Sequence, residues 1–194
     1  MSDPSIPPPF SGPWPDGHAA LRIELDRYLD DVRGGAVDGL ITTCDPWTVR
    51  DVTAHLTQTF RRFTHMVEQG RNGDFTPPFP PEELDAENLR AVAEFTGNPT
   101  AELPIAAHEF LELVDDLDEP VPHQLGTLPM GLQVLFGLFD LAMHHHDVLA
   151  AAGGTYEPTS AALEAIRAMG ERLFQLPSDV PWETIVAASG RAPI

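Results

Sequence analysis

Three residues of this 194-residue chain have the types and spacing to hold a cation. Asp140 and His144 stand four apart in the segment Phe139-Asp140-Leu141-Ala142-Met143-His144-His145-His146-Asp147. On a helix that spacing puts them on one face, one turn above the other. Their stripe is otherwise apolar, with Phe136, Met143, Val148 and Ala151 as neighbours. Charged groups on such a stripe are costly unless paired or bound to a cation. A carboxylate and an imidazole projecting to one point can chelate a metal, as helical carboxylate/His pairs do in bundles. A catalytic zinc takes three protein ligands and keeps a position open. His55 fits the third place best, lying between Val52, Leu56 and Thr59 on the most clearly amphipathic stretch. A plainer reading stands beside this one. A lone His on an apolar face is commonly a hydrogen-bonded core residue, and Asp140 and His144 could satisfy each other.

The neighbouring polar residues carry weaker signals. Asp147 continues the Asp140/His144 face and could orient His144 from behind, or cap and pair locally. The rings of His144, His145 and His146 point about 100° apart on a helix, so they cannot share one ion; His145 and His146 read as packing or facing solvent. Cys44 has Asp45 beside it and no basic neighbour in sequence, so it reads as an inert thiol. Trp47 reads as a core anchor at a helix start. Arg61 and Arg62 could meet an anionic substrate, but a solvated helix face is the better reading. His65 lies nearly three turns beyond His55, and His18, His108 and His123 fall at ends or in mixed polar surroundings.

Apolar periodicity predicts the elements that must position these groups. Leu21, Leu25, Tyr28, Leu29 and Val32 mark a first helix from about Asp16 to Arg33, ended by Gly34-Gly35. A second begins near Asp45-Pro46-Trp47-Thr48, with Thr48 and Asp51 in a capping-box pattern. Its stripe is Val49, Val52, Leu56, Phe60, Phe63 and Val67, and Gly70 and Gly73 stop it. Phe75 to Pro81 is a loop. A short helix is expected over Glu82 to Phe95, and another from Asn98-Pro99 to about Leu117, followed by the acidic cluster Asp115, Asp116, Asp118 and Glu119. Pro120, Pro122 and Pro129 bracket a further loop. Met130 to Ala152 is apolar nearly all round, which implies central burial or a covering partner. A last helix covers Thr159 to Leu176, before a short tail with Trp182. No strand run stands out, so the chain reads as all-α.

Composition narrows the function. Acidic residues outnumber basic ones 30 to 11, the formal charge is −19 and there is no Lys. Such a surface repels phosphate backbones and anionic membranes, which argues against nucleic acid as a partner. A single cysteine cannot form an internal disulfide and fits a reducing compartment. Met1 to Pro15 holds six prolines and lacks a signal-peptide pattern, and Val134 to Met143 is too short and too polar at its end to span a membrane. The expectation is a cytoplasmic protein with a Pro-rich extended arm (1–15) and one helical domain (16–194).

Two motifs carry a family resemblance. Trp47-Thr48-Val49-Arg50-Asp51-Val52-Thr53-Ala54-His55-Leu56 resembles the W-S/T-V-x-D-V-x-x-H-L opening of mycothiol-dependent maleylpyruvate isomerase-like proteins. Asp140-x-x-x-His144-x-x-Asp147 resembles that family's E-x-x-x-H-x-x-D signature. The motifs come in the family's order, and looser similarity covers Leu21 to about Ala152. The resemblance implies a DinB-like up-down four-helix bundle with additional short helices. It implies a divalent metal, usually zinc, held by His55, Asp140 and His144. It also implies mycothiol as a cosubstrate, whose metal-bound thiolate attacks an electrophile in an isomerisation or a transfer. The chain departs from the family at Asp140, where Glu is usual, and at Gly137, where an Arg is common. The isomerase has a second, C-terminal domain for which the residues after Ala152 leave no room. A stand-alone thiol transferase or diverged relative is therefore expected.

Three function classes remain in play. The first is this metal- and thiol-dependent enzyme, acting on a small molecule. The second is a hydrolase or lyase that activates water on the same bundle. The third is a non-catalytic module that binds a small ligand or partner, with the 130–152 helix and the Pro-rich arm serving a homodimer interface.

Overall fold

The apolar stripes become helices because each buries one continuous face. α1 (His18–Val32) buries Ala20, Leu21, Leu25, Tyr28 and Val32, and Gly34 and Gly35 turn the chain away at φ 87° and 72°. α2 (Val49–Arg71) opens on the expected capping box: the Asp51 N–H donates to Thr48 Oγ1, and the Thr48 N–H donates to Asp51 Oδ2. A 3₁₀ turn at Pro81–Glu83 leads into α3 (Leu84–Ala93), which has no buried residue. α4 (Pro99–Glu112) is capped by Asn98. α5 (Met130–Ala151), α6 (Ser160–Phe174) and α7 (Trp182–Ala188) follow. The computed structural model describes residue 6, residues 10 and 11, and residues 13–191. Most of the expected arm, 1–15, lies outside the described residues. Trp14 is buried, donates from Nε1 to the Phe10 carbonyl at 2.9 Å, and lies under the Arg172 guanidinium.

The fold is all-α and DinB-like, a bundle of α1, α2, α4 and α5 with short additions. α2 packs on α4 and α5, and α1 packs on the same two helices. This closes a ring in which α1 and α2, consecutive in sequence, stand across from one another. One core cluster runs from Trp14 to Val186. α5 is covered by α1, α2 and α6 of its own chain, which accounts for its all-round apolarity without a second copy. Among the described residues no helix is long and apolar enough to cross a membrane.

Three details correct the sequence reading. The 120–129 stretch is not a plain loop: β1 (Pro120–His123) and β2 (Gly126–Pro129) pair antiparallel, with Pro120 opposite Pro129 and His123 opposite Gly126. Four-residue strands rich in proline show no periodicity, and an isolated ribbon tolerates proline on its free edges. The hairpin packs on α2 at Gly70, where a Cβ would stand 2.9 Å from Pro122 Cδ. The expected tail contains α7, whose buried Trp182, Ile185 and Val186 are too few to show a stripe. α4 stops at Glu112 rather than near Leu117. The acidic cluster thus lies in the turns between α4 and β1, and Glu119 pairs with Arg71 at 2.8 Å.

Candidate metal centre

The facing stripes of α2 and α5 bring His55, Asp140 and His144 together. Asp140 lies between the two rings, with Oδ2 3.2 Å from His55 Nε2 and Oδ1 3.5 Å from His144 Nε2. The imidazoles meet edge to face at 4.9 Å between centroids. One nitrogen of each ring and one carboxylate oxygen all lie within 4.8 Å of one another. Ligands held tetrahedrally at zinc distances stand about 3.4 Å apart, so the observed spacings suit a shared cation. Both histidines are buried, while the Asp140 side chain keeps 30% exposure. Trp47 is a rim residue rather than a core anchor. Its half-buried indole lies 5.0 Å from the His55 ring and 6.3 Å from His144.

Behind His144 lies a second layer. Nδ1 of His144 stands 3.1 Å from Asp147 Oδ2, so the ring can donate there and, when neutral, offer the Nε2 lone pair to a cation. Asp147 is fully buried and accepts from three further donors: Thr43 Oγ1, the Cys44 thiol at 3.0 Å, and Arg191 Nε at 2.9 and 3.0 Å to its two oxygens. Cys44, expected to be an inert thiol for want of basic neighbours, does have such neighbours in space. It also lies 3.8 Å from His144 Nδ1 and 3.7 Å from Arg191 Nη2. Its basic neighbours come from remote segments, which local sequence could not display. Cys44, His144 and Asp147 form a second group with ligand-like spacing, but its carboxylate is already held by the Arg191 cation.

The two histidines titrate in opposite directions. Burial holds the His55 pKa below the usual 6.5, although Asp140 works against this. Burial disfavours charge on His144 too, but its bonds to Asp147 and Cys44 and the charge of Asp140 lift its pKa to about 10. Burial raises Asp140, yet His55, followed by His144, holds it well below the ordinary carboxylate range. Asp147 is held low in the same way, by His144 and Arg191 against burial. A cation taken up at this centre would compete with a proton for His144.

A cavity of about 260 Å³ opens beside the triad, lined by His55 and Asp140 together with Phe63, Phe136, Phe139, Leu84 and Leu125. Two of its residues overturn the sequence reading. Arg62 is half-buried against the cavity instead of solvated, donating to Asn88 Oδ1 at 3.0 Å; Arg61 does face outward and pairs with Glu102. His123, expected at an end or in mixed polar surroundings, is buried and stacked on Phe136, 5.3 Å away and 6° from parallel. Burial, then the Arg62 charge, lowers its pKa to about 4. The hairpin alone brings it there. Of packing and facing solvent, the two readings open for the remaining triplet members, both pack: His145 against Tyr28 and Tyr156, His146 against Trp182.

A family model described as the mycothiol maleylpyruvate isomerase N-terminal domain matches residues 18–149, more than half of the chain and the span containing the whole triad. The chain belongs to that family. The crystal structure of the mycothiol-dependent maleylpyruvate isomerase is similar in fold, with a TM-score of 0.56 at 17% identity, covering 78% of this chain and 67% of that one. No curated protein sequence matches this chain. Set in this isomerase-like family, the departure at Gly137 has a local explanation. A Cβ on Gly137 would stand 3.1 Å from Phe60 Cε1 and 3.4 Å from Phe63 Cε2, so position 137 faces α2 at close range and has no room for a long side chain. One turn on, Asp140 Oδ2 stands 3.2 Å from His55 Nε2 across the same pair of helices.

Proposed function

We propose that this isomerase-like protein holds a divalent metal, zinc first, on His55, Asp140 and His144. It would use the metal with a low-molecular-weight thiol of the mycothiol kind to modify a small electrophile, as a transferase or isomerase. The observation that carries this reading is the convergence of two imidazole nitrogens and a carboxylate at one end of a cavity. Family membership supports the thiol. A bound divalent cation would lower the pKa of a coordinated thiol, making it a nucleophile near neutral pH. The chain's own contributions are positional. Asp147 sets the tautomer of His144, Trp47 covers the rings, and the phenylalanine walls keep water from the reacting end of the cavity. The same reading takes 16–194 as one domain working in a reducing, cytoplasmic setting on small molecules rather than nucleic acid.

The test starts with protein purified without a metal-binding tag. One zinc per chain is expected by elemental analysis and calorimetry, and His55→Ala should lose it. Conjugation of monochlorobimane should require both zinc and mycothiol. Absence of stoichiometric metal, with zinc uptake unchanged in His55→Ala, sinks the metal assignment. Zinc uptake with thiol-independent hydrolysis instead retires the thiol and favours activated water.

A further inference from the structure

We propose that the cavity contains a carboxylate subsite anchored by Arg62, and that the substrate of this site is a flat, largely apolar monocarboxylate. The inference rests on the reading of His55, Asp140 and His144 as the reacting end of that cavity. Arg62 follows His55 by seven residues on α2, two turns along the same face and about 10.5 Å along the axis. The cavity spans that distance, with Thr59 between them. A ligand held at Arg62 therefore extends its far end toward the triad.

The direct contacts of the Arg62 guanidinium are neutral, and the charges of Asp140 and Glu87 act on it from further away. It donates to Asn88 Oδ1 and lies 5.1 Å from the centre of the Phe79 ring. Among the described residues no carboxylate lies within ion-pair distance of it, whereas the adjacent Arg61 meets Glu102 at 2.6 Å. A half-buried guanidinium with donors to spare, beside an apolar cavity in a chain of charge −19, is matched by a carboxylate, whose geometry suits its fork. His123 supplies no second positive charge near neutral pH, because burial and the nearby Arg62 hold it neutral. Among the described lining residues of the cavity Arg62 is the one arginine, which matches a single carboxylate. The His123–Phe136 stack makes a flat wall and Phe139 adds a further aromatic face, which suits a planar body. Gln124 Oε1 is buried at the cavity without a hydrogen-bond partner, leaving an acceptor for an O–H or N–H on the ligand.

Calorimetry with trans-cinnamate, its neutral isostere cinnamamide and the small dicarboxylate fumarate tests this, on zinc-loaded and zinc-free protein. Cinnamate should bind at least tenfold tighter than either alternative. Arg62→Gln should bring cinnamate down to the cinnamamide level while zinc uptake stays at one per chain, and Arg62→Lys should retain an intermediate affinity. Asn88→Ala, which frees the guanidinium without removing it, should keep the preference for cinnamate. Equal binding of cinnamate and cinnamamide, tighter binding of fumarate, or indifference to Arg62 overturns the proposal. If zinc binds normally and cinnamate ignores Arg62, the subsite falls and the metal reading stands. If no zinc binds and the Arg62 dependence persists, the metal reading falls and the subsite stands.

Discussion

Two buried polar networks flank α5, built from similar residue types. On the α1 side, Glu24 is fully buried and accepts from Arg27 Nη1 at 2.8 Å, Tyr156 Oη at 2.8 Å and the Thr159 N–H at 2.7 Å. Beside it His145 Nε2 meets Asp31 Oδ2 at 2.8 Å. On the α2 side, Asp140 stands 3.2 and 3.5 Å from two imidazoles and opens on a cavity. The first network closes on itself with short bonds and tethers the 156–159 segment to α1. The second has spacings long for hydrogen bonds and suited to a shared cation. Burial of charge is common to both, so burial by itself does not mark a functional site. The open ligand positions and the cavity do.

That contrast can be broken or sharpened by experiment. The largest effect is expected for His144→Ala, which removes a ligand and should weaken zinc binding by about a thousandfold or more in calorimetry, since a structural zinc site holds on the order of 10 kcal/mol across its ligands. Retention of zinc there would erase the distinction between the two networks. Next comes Glu24→Gln, which disrupts charge-assisted bonds in the closed network. It should cost about 2 kcal/mol in urea denaturation while leaving zinc affinity within about twofold.

A pH series follows. Zinc takes neutral imidazole, and His144 in the metal-free protein stays protonated up to about pH 10. Zinc affinity should therefore rise by up to about tenfold per pH unit from 7 to 9; a flat profile would show that no such proton is displaced. The sign for folding is opposite. With its folded pKa above the ordinary 6.5, His144 stabilises the metal-free fold below about pH 6.5, and this contribution is lost as the pH rises through 10. The smallest effect is assigned to Gly137→Ala. Its Cβ presses Phe60 and Phe63 and should ease α5 from α2, lowering zinc affinity a few-fold, an amount of about 1 kcal/mol. Unchanged affinity would mean that Asp140 reaches the site without the close approach.

Much of the scaffold was legible because long amphipathic helices repeat their signal over several turns. The stripes of α1, α2 and α5 and the Thr48/Asp51 cap stand where periodicity puts them. Periodicity put His55, Asp140 and His144 on inward stripes, while their grouping as one site came from the resemblance of the two motifs to the family. The hairpin and α7 were not legible, being too short to establish a period.

The sequence by itself determined the long helices, the face each turns inward, and the placing of two imidazoles and two carboxylates on those faces, because spacing along a helix sets direction. Tertiary structure decided which remote groups complete the site. Arg191 reaches Asp147 from beyond α7, Cys44 approaches from the loop before α2, and His123 arrives on the hairpin. Such contacts depend on how loops close in space, and no local rule of spacing carries that information.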